Sequence, residues 1–188
     1  MTTQSNTKDM REEAARVFLL ADLLKPRPDE TLSDLKDRAS TEKAPVKNGS
    51  SLEFLIEKDS TRGKLYSDLV WEETILHLSS LSVWPKMDGL PEEWCDGSVL
   101  DVAQFVKNNE LPPKVNRLKK MLHVVQTEGP NAVTEWLQHL SLLAVPEAIL
   151  HKRDGQRPLL TLDDGCSRAV TLGLLGIQEV RVLVGSTP

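Results

Sequence analysis

The chain has 188 residues, of which 39% are hydrophobic and 27% charged, enough for one domain with a packed core or a domain plus an appendage. A formal net charge of −5 excludes nonspecific coating of nucleic acid, so a nucleic-acid contact must come from a local basic patch. Two cysteines are too few for a disulfide framework and lack metal-site spacing, and no run approaches the roughly 18 apolar residues of a membrane span, so a cytoplasmic protein with reduced thiols and no transmembrane segment is expected.

Residues 11–24 are expected to form a helix. Ala14, Val17, Phe18, Ala21 and Leu24 recur at helical spacing, and Pro26 and Pro28 stop the run. Residues 39–50, ASTEKAPVKNGS, read as a linker broken by Pro45 and Gly49. Residues 1–70 are therefore expected as a helical extension with a tether, serving as a packing element or a partner-docking arm, and residues 71–188 as the main domain. Charges balance over the first fifty residues, so this part is not a basic DNA arm.

Residues 64–83 suggest a helix followed by an extended piece at LHLSSLSVWP. Residues 86–98, KMDGLPEEWCDGS, form a loop, with Trp94 as a lid over the core. Two helices follow. Val115, Leu118, Met121, Leu122 and Val125 make the stripe of one, and Val133, Trp136, Leu137, Leu140 and Leu143 that of the other. Gly129 and Pro130 separate them, and Pro130 is placed to open the second. The pattern then changes. VPEAILHK and RPLLTLDD are short apolar segments joined by the turn RDGQ, SRAVTLGLLG is helical, and Gly176 suits a left-handed stop. In QEVRVLVG, Val180, Val182 and Val184 alternate as in a strand. Helices first and a small mixed sheet last point to an α+β or mixed α/β domain, of which α+β is the class expected.

The turn before the last helix carries the chemistry. Asp164-Gly165 leads from a strand into a helix whose first N–H groups lack intrahelical partners, and the dipole adds partial positive charge, which makes an anion site. Gly165 lets a ligand approach the backbone. Arg168 can fork onto phosphate oxygens, and Ser167 can cap the helix or bind phosphate. Asp163 and Asp164 can hold a divalent metal together with phosphate and water. Cys166 sits where a thiolate would be stabilised. The same residues allow a plain structural alternative in which Ser167 is only a cap, Arg168 pairs with Asp163 and Cys166 fills a gap.

A basic stretch, KNNELPPKVNRLKK, spans residues 107–120. Lys114, Arg117, Lys119 and Lys120 are candidate DNA-phosphate contacts, or else a solvated helix face. No aromatic residues interleave them, so DNA binding there would be backbone-directed. His77, His123, His139 and His151 are scattered without ligand spacing. Each is expected to be structural or exposed, with His151 on the strand before the turn.

Asp164, Gly165, Arg168, Leu175 and Gly176 resemble the D-G-x-x-R-x-x-A-x-x-x-L-G hallmark of the ParB/sulfiredoxin fold, with Thr171 at the small-residue position. Upstream, ILHLSSLSVWP resembles that fold's opening strand. Leu118, Leu122 and Gly129 resemble its helix ending in glycine, and Pro146 and Ile149 its proline-led strand. The resemblance spans residues 75–184 and is tight over 146–184. In length and helical front part the chain is also similar to the plasmid fertility-inhibition (oncogenic-suppression) proteins, which block transfer through type IV secretion. That resemblance implies a plasmid-encoded ATPase and DNase that binds ATP and Mg²⁺, with a secretion-system or coupling protein as partner. ATP would sit on Asp164, Gly165, Cys166, Ser167 and Arg168. Asp164, Arg168 and Cys166 would be catalytic, and Asp163 and Asp164 would hold the metal. Two alternatives stand beside it: an inactive interaction module on the same fold, and a thiol enzyme using Cys166, since sulfiredoxins carry G-C-H-R where this chain has Gly165-Cys166-Ser167-Arg168.

Overall fold

The computed structural model describes residues 4–23, 30–46, 49–146 and 160–188. Pro26, Pro28, Ile149, His151 and the RDGQ turn lie outside them. The first helix, α1, runs Gln4–Leu23. The stretch read as a linker is partly helical. α2 (Leu32–Thr41) opens on a reciprocal cap between Thr31 and Asp34, and α3 (Ser51–Lys58) starts immediately after residue 50. The Glu12 carboxylate of α1 accepts from Ser50 Oγ at 2.5 Å and from Ser51 N at 2.9 Å, which ties α3 to α1. α4 (Ser60–Asp68) follows at once, capped by Asp59.

The extended segment begins earlier than its pattern suggests, as strand β1 (Val70–His77). A 3-10 turn separates it from the two-residue β2 (Leu81–Ser82). Trp94 packs against the core as expected and stacks on Phe105 with ring centroids 6.1 Å apart. α5 (Val99–Asn108) opens on a reciprocal cap between Ser98 and Asp101. α6 (Arg117–Glu128) and α7 (Pro130–Leu137) are the two striped helices, with Pro130 at the start of the second. Strand β3 (Leu142–Pro146) starts earlier than expected and claims Leu143, which the helical stripe had included. β4 (Leu160–Asp164), α8 (Cys166–Leu174) and β5 (Glu179–Ser186) close the chain, with Gly176 in the left-handed region at φ +83°.

The architecture is α+β. The five strands form one mixed sheet in the order β1-β5-β3-β4-β2. β5 pairs antiparallel with β1 over eight residues and parallel with β3, while β4 pairs antiparallel with β3 and parallel with β2. Both faces are buried, so β3 alternates between two cores. Leu142 and Ala144 join the cluster under α5, α6, α7 and α8, and Leu143 and Val145 join the one under α1, α3 and α4. The N-terminal helices thus lie on the sheet. Tyr66 of α4 and Leu55 of α3 are both fully buried there.

Gly63 lets α3 and α4 touch. A Cβ at Gly63 would stand 2.5 Å from Ile56 Cα and 2.6 Å from Ile56 N. Alanine gains about 1 kcal/mol of helix propensity over glycine, but a clash with backbone cannot be relieved by a rotamer change and costs about 1–3 kcal/mol. Gly63→Ala is therefore expected to lower the urea-unfolding free energy by about 1 kcal/mol or more, where an unobstructed helix would be stabilised.

Candidate functional site

The end of β4 is shaped by a bulge. Pairing with β3 steps from Asp164 opposite Leu143 to Leu162 opposite Ala144, so Asp163 is the extra residue. Bulges of this kind re-aim side chains. Asp163 turns to the second face, where its side chain is 1% exposed. Arg62 of α4 grips it from Nε to Oδ2 at 3.0 Å and from Nη2 to Oδ1 at 3.1 Å. The Tyr66 hydroxyl donates to Oδ2 at 2.5 Å. Burial, and then the Asp163 charge, push the Tyr66 pKa well above its ordinary value, so the hydroxyl stays protonated and donating.

Gly165 follows at φ +94°, ψ 10°, in the left-handed conformation that lets the chain turn directly into α8. No side chain caps this helix start. The first intrahelical bond is Ala169 N to Gly165 O at 2.8 Å, so the amides of Cys166, Ser167 and Arg168 precede the ladder and carry the positive end of the dipole.

Beside the turn lies a cavity of about 550 Å³, within the size range of small-ligand sites. Both helical layers contribute to it. Trp84, Met87, Met121, Trp136 and Leu140 supply apolar lining. Arg117 and Lys120 enter from α6 and Arg62 from α4, and His139 lies just past α7. The loop after β2 sets the α6 cations in place. Lys86 and Asp88 hold left-handed backbone at φ 57° and 54°, and Asp88 Oδ2 accepts from Leu118 N at 2.8 Å. This replaces the cap that Asn116 does not provide. Holding two non-glycine residues at positive φ costs about 1 kcal/mol or more each, which the Asp88–α6 bond helps offset.

The charges partition cleanly. Arg62 pairs with Asp163, and Arg168 with Asp164. Among the described residues, no ion pair engages Arg117 or Lys120. The cavity therefore presents two cations held in no ion pair, with the Asp88 carboxylate also in its lining, and an uncapped helix N-terminus to any guest.

Several expectations about the turn need correction. Arg168 lines the cavity but is anchored within the fold rather than standing free at the turn. Nη1 donates to Leu140 O at 2.9 Å, Nη2 to Asp164 Oδ2 at 3.1 Å, and the side chain is 13% exposed. It fastens α8 to the start of β3, and its carboxylate partner is Asp164, not Asp163. Asp163 does not fit as a metal ligand, because Arg62 and Tyr66 occupy both its oxygens. Asp164 fits better, with only Oδ2 engaged. Among the described residues, no cluster of three or more His, Cys, Asp or Glu side chains is arranged to hold a metal ion. Cys166 is buried, its Sγ 3.6 Å from Leu162 O. Burial above all, despite a hydrogen bond from the Trp84 backbone, pushes its thiol up to about 12, so a thiolate is disfavoured rather than stabilised. Ser167 caps nothing. It lines the cavity with Oγ 3.8 Å from Met87 Sδ.

The basic stretch divides. All four basic residues are exposed; Arg117 and Lys120 line the cavity, whereas Lys114 and Lys119 take no part in its lining. His139 is drawn to the site although no spacing marked it. Arg62, Tyr66 and Asp88 also escaped the sequence reading, since each acts across a long sequence separation. Among the described residues, no helix is long and apolar enough to cross a membrane. Comparisons with protein families, with curated proteins and with solved structures gave no match.

Proposed function

We propose that the chain binds a nucleotide in this cavity. Phosphates would lie on the first-turn amides of α8 and on Arg117 and Lys120, with the base against the Trp84 and Trp136 side of the lining. One observation carries the reading: the basic helix and the uncapped turn, singled out separately in the sequence, line the same cavity. Amides and cations suit phosphate, and the apolar walls suit an aromatic base. ATP is the expected nucleotide. Where Mg²⁺ accompanies it, Asp164 would serve through the oxygen that Arg168 leaves unengaged, with the phosphates supplying further oxygens.

The ParB/sulfiredoxin motif gives this reading its setting. A fertility-inhibition factor of that type would couple ATP binding and hydrolysis, and DNA cleavage, to a block on type IV secretion. DNA contact would then fall to the exposed Lys114 and Lys119. A second reading, binding without turnover, draws support from Arg168 and Asp163, whose charges are both held in internal pairs. The buried, high-pKa Cys166 gives the thiol-enzyme alternative no support.

A thermal-shift titration with ATP and Mg²⁺ tests the proposal. Ligand at about a hundred times its Kd stabilises by about 2.7 kcal/mol, or roughly 5–10 °C for a chain of this size. Wild type is expected to show that rise and Arg117→Ala/Lys120→Ala to lose it. A wild-type melting point that ATP does not move would end the nucleotide reading. Phosphate release in the same samples separates turnover from binding alone.

A further inference from the structure

Arg62 reaches the cavity from the second face of the sheet, whereas Arg117 and Lys120 reach it from the first. Its guanidinium is fixed on three sides. Nε and Nη2 donate to Asp163, Nη1 lies 3.4 Å from Asp59 Oδ2, and the guanidinium carbon sits 4.6 Å from the centroid of the Phe18 ring. A guanidinium carries five N–H donors. Carboxylates take one from each nitrogen here, so each terminal nitrogen keeps one hydrogen. The Arg62 side chain is 28% exposed although the Asp163 it grips is 1% exposed, and it lines the cavity.

This geometry is preorganised. The Phe18 ring and the two carboxylates set the plane, and Tyr66 holds Asp163 in place beneath it. A guest anion would not have to order the side chain, which removes a common cost of binding. Pairing with Asp163 offsets the charge of Arg62 but leaves its remaining donors intact, and hydrogen bonds from an ionised donor are the stronger kind. The cavity is thus bracketed by cationic donors on opposing layers. A single phosphate at the α8 turn would meet the α6 cations, while a longer anionic chain could engage both sides.

We infer that Arg62 is a phosphate ligand of the nucleotide site and that it makes the cavity select a polyphosphate chain over a single phosphate. The inference rests on the nucleotide reading above and adds the residue by which a polyphosphate chain is chosen over a single phosphate. The N-terminal helices become part of the binding site, with Tyr66 and Asp163 as positioning residues.

The test is calorimetric titration of ATP, ADP and AMP, at constant Mg²⁺, into the full chain as wild type and as Arg62→Lys. Lysine keeps a positive charge beside Asp163 and an alkyl stem beside Phe18, but loses the fork. Wild type is expected to bind ATP more tightly than AMP. Arg62→Lys should weaken ATP by about tenfold and AMP by less than about threefold. Should the lysine variant fail to fold, Arg62→Gln/Asp163→Asn removes both charges of the pair together and is expected to show the same loss of ATP preference. A parallel loss for all three nucleotides would show that Arg62 merely props the turn and would overturn the inference. Unchanged ATP affinity, or a wild type without preference among the three, would overturn it as well while leaving the nucleotide reading standing. A wild type that binds none of them overturns both.

Discussion

Asp163→Asn should lower the unfolding free energy by about 3 kcal/mol, the low end of the cost of breaking a buried ion pair. The wild-type carboxylate accepts two bonds from Arg62 and one from Tyr66, with its side chain 1% exposed. Asparagine has nearly the same shape, so no void is created. It carries no charge, and its amide nitrogen would face donors on either side. Arg62, at 28% exposure, recovers some hydration, which places the effect at the low end. For a chain of this size about 3 kcal/mol corresponds to roughly 6–12 °C in Tm. Tyr66→Phe removes one neutral donor and leaves the Arg62 pair intact, so about 1 kcal/mol is expected there. Thermal and urea unfolding of the two variants should rank them in that order. An Asp163→Asn protein within about 0.5 kcal/mol of wild type, as an ordinary surface substitution would be, would mean that the network carries little stability.

The part of the fold that could be read from the sequence is the part specified locally. The β4–turn–α8–β5 run rests on Gly165 and Gly176 at positive φ and on valines alternating along one strand, all within a short window. α6 and α7 rest on apolar stripes and on Pro130. α2 and α5 were missed although each begins with a cap visible in the sequence, Thr31 with Asp34 and Ser98 with Asp101, three residues apart. β1 was hidden for a different reason. Its burial follows no alternation, because it is an edge strand held by pairing with β5 rather than by one clean apolar face. Leu143 fell at helical spacing by coincidence, and its true place in β3 follows from burial on the second face.

The site divides along the same line. The turn itself was legible, but the fates of its charged groups were not. Arg168 and Asp164 stand one helical turn apart, so their pairing is local. Arg62 and Asp163 stand 101 residues apart, and no periodicity reports such a pair. The bulge that exposes Asp163 to Arg62 comes from a one-residue slip in strand pairing, which composition does not encode.

Gly165→Ala should cost about 2–4 kcal/mol and remove any response to nucleotide, by two separable effects. At φ +94° an L side chain is strained wherever space allows it. Space does not allow it here: the new Cβ would lie 2.5 Å from Leu142 Cδ2 and 3.0 Å from Arg168 Nη2. Leu142 is 1% exposed in the core and cannot swing aside freely. The guanidinium could shift, but it is the clasp joining α8 to the Leu140 carbonyl. Movement there would tilt the first-turn amides that a phosphate needs. Gly165→Asn separates the contributions, since asparagine tolerates left-handed backbone better than alanine yet brings the same Cβ. If strain dominates, asparagine should be the milder change; if the Leu142 contact dominates, the two should be alike. A Gly165→Ala/Leu142→Ala cycle reads the contact directly, with a coupling of about 1 kcal/mol or more expected for atoms this close. An alanine variant as stable as wild type would contradict the turn geometry on which the proposed phosphate contact depends. One that loses stability yet keeps its full ATP-dependent rise in Tm would move the phosphates away from α8 and onto Arg117 and Lys120 alone.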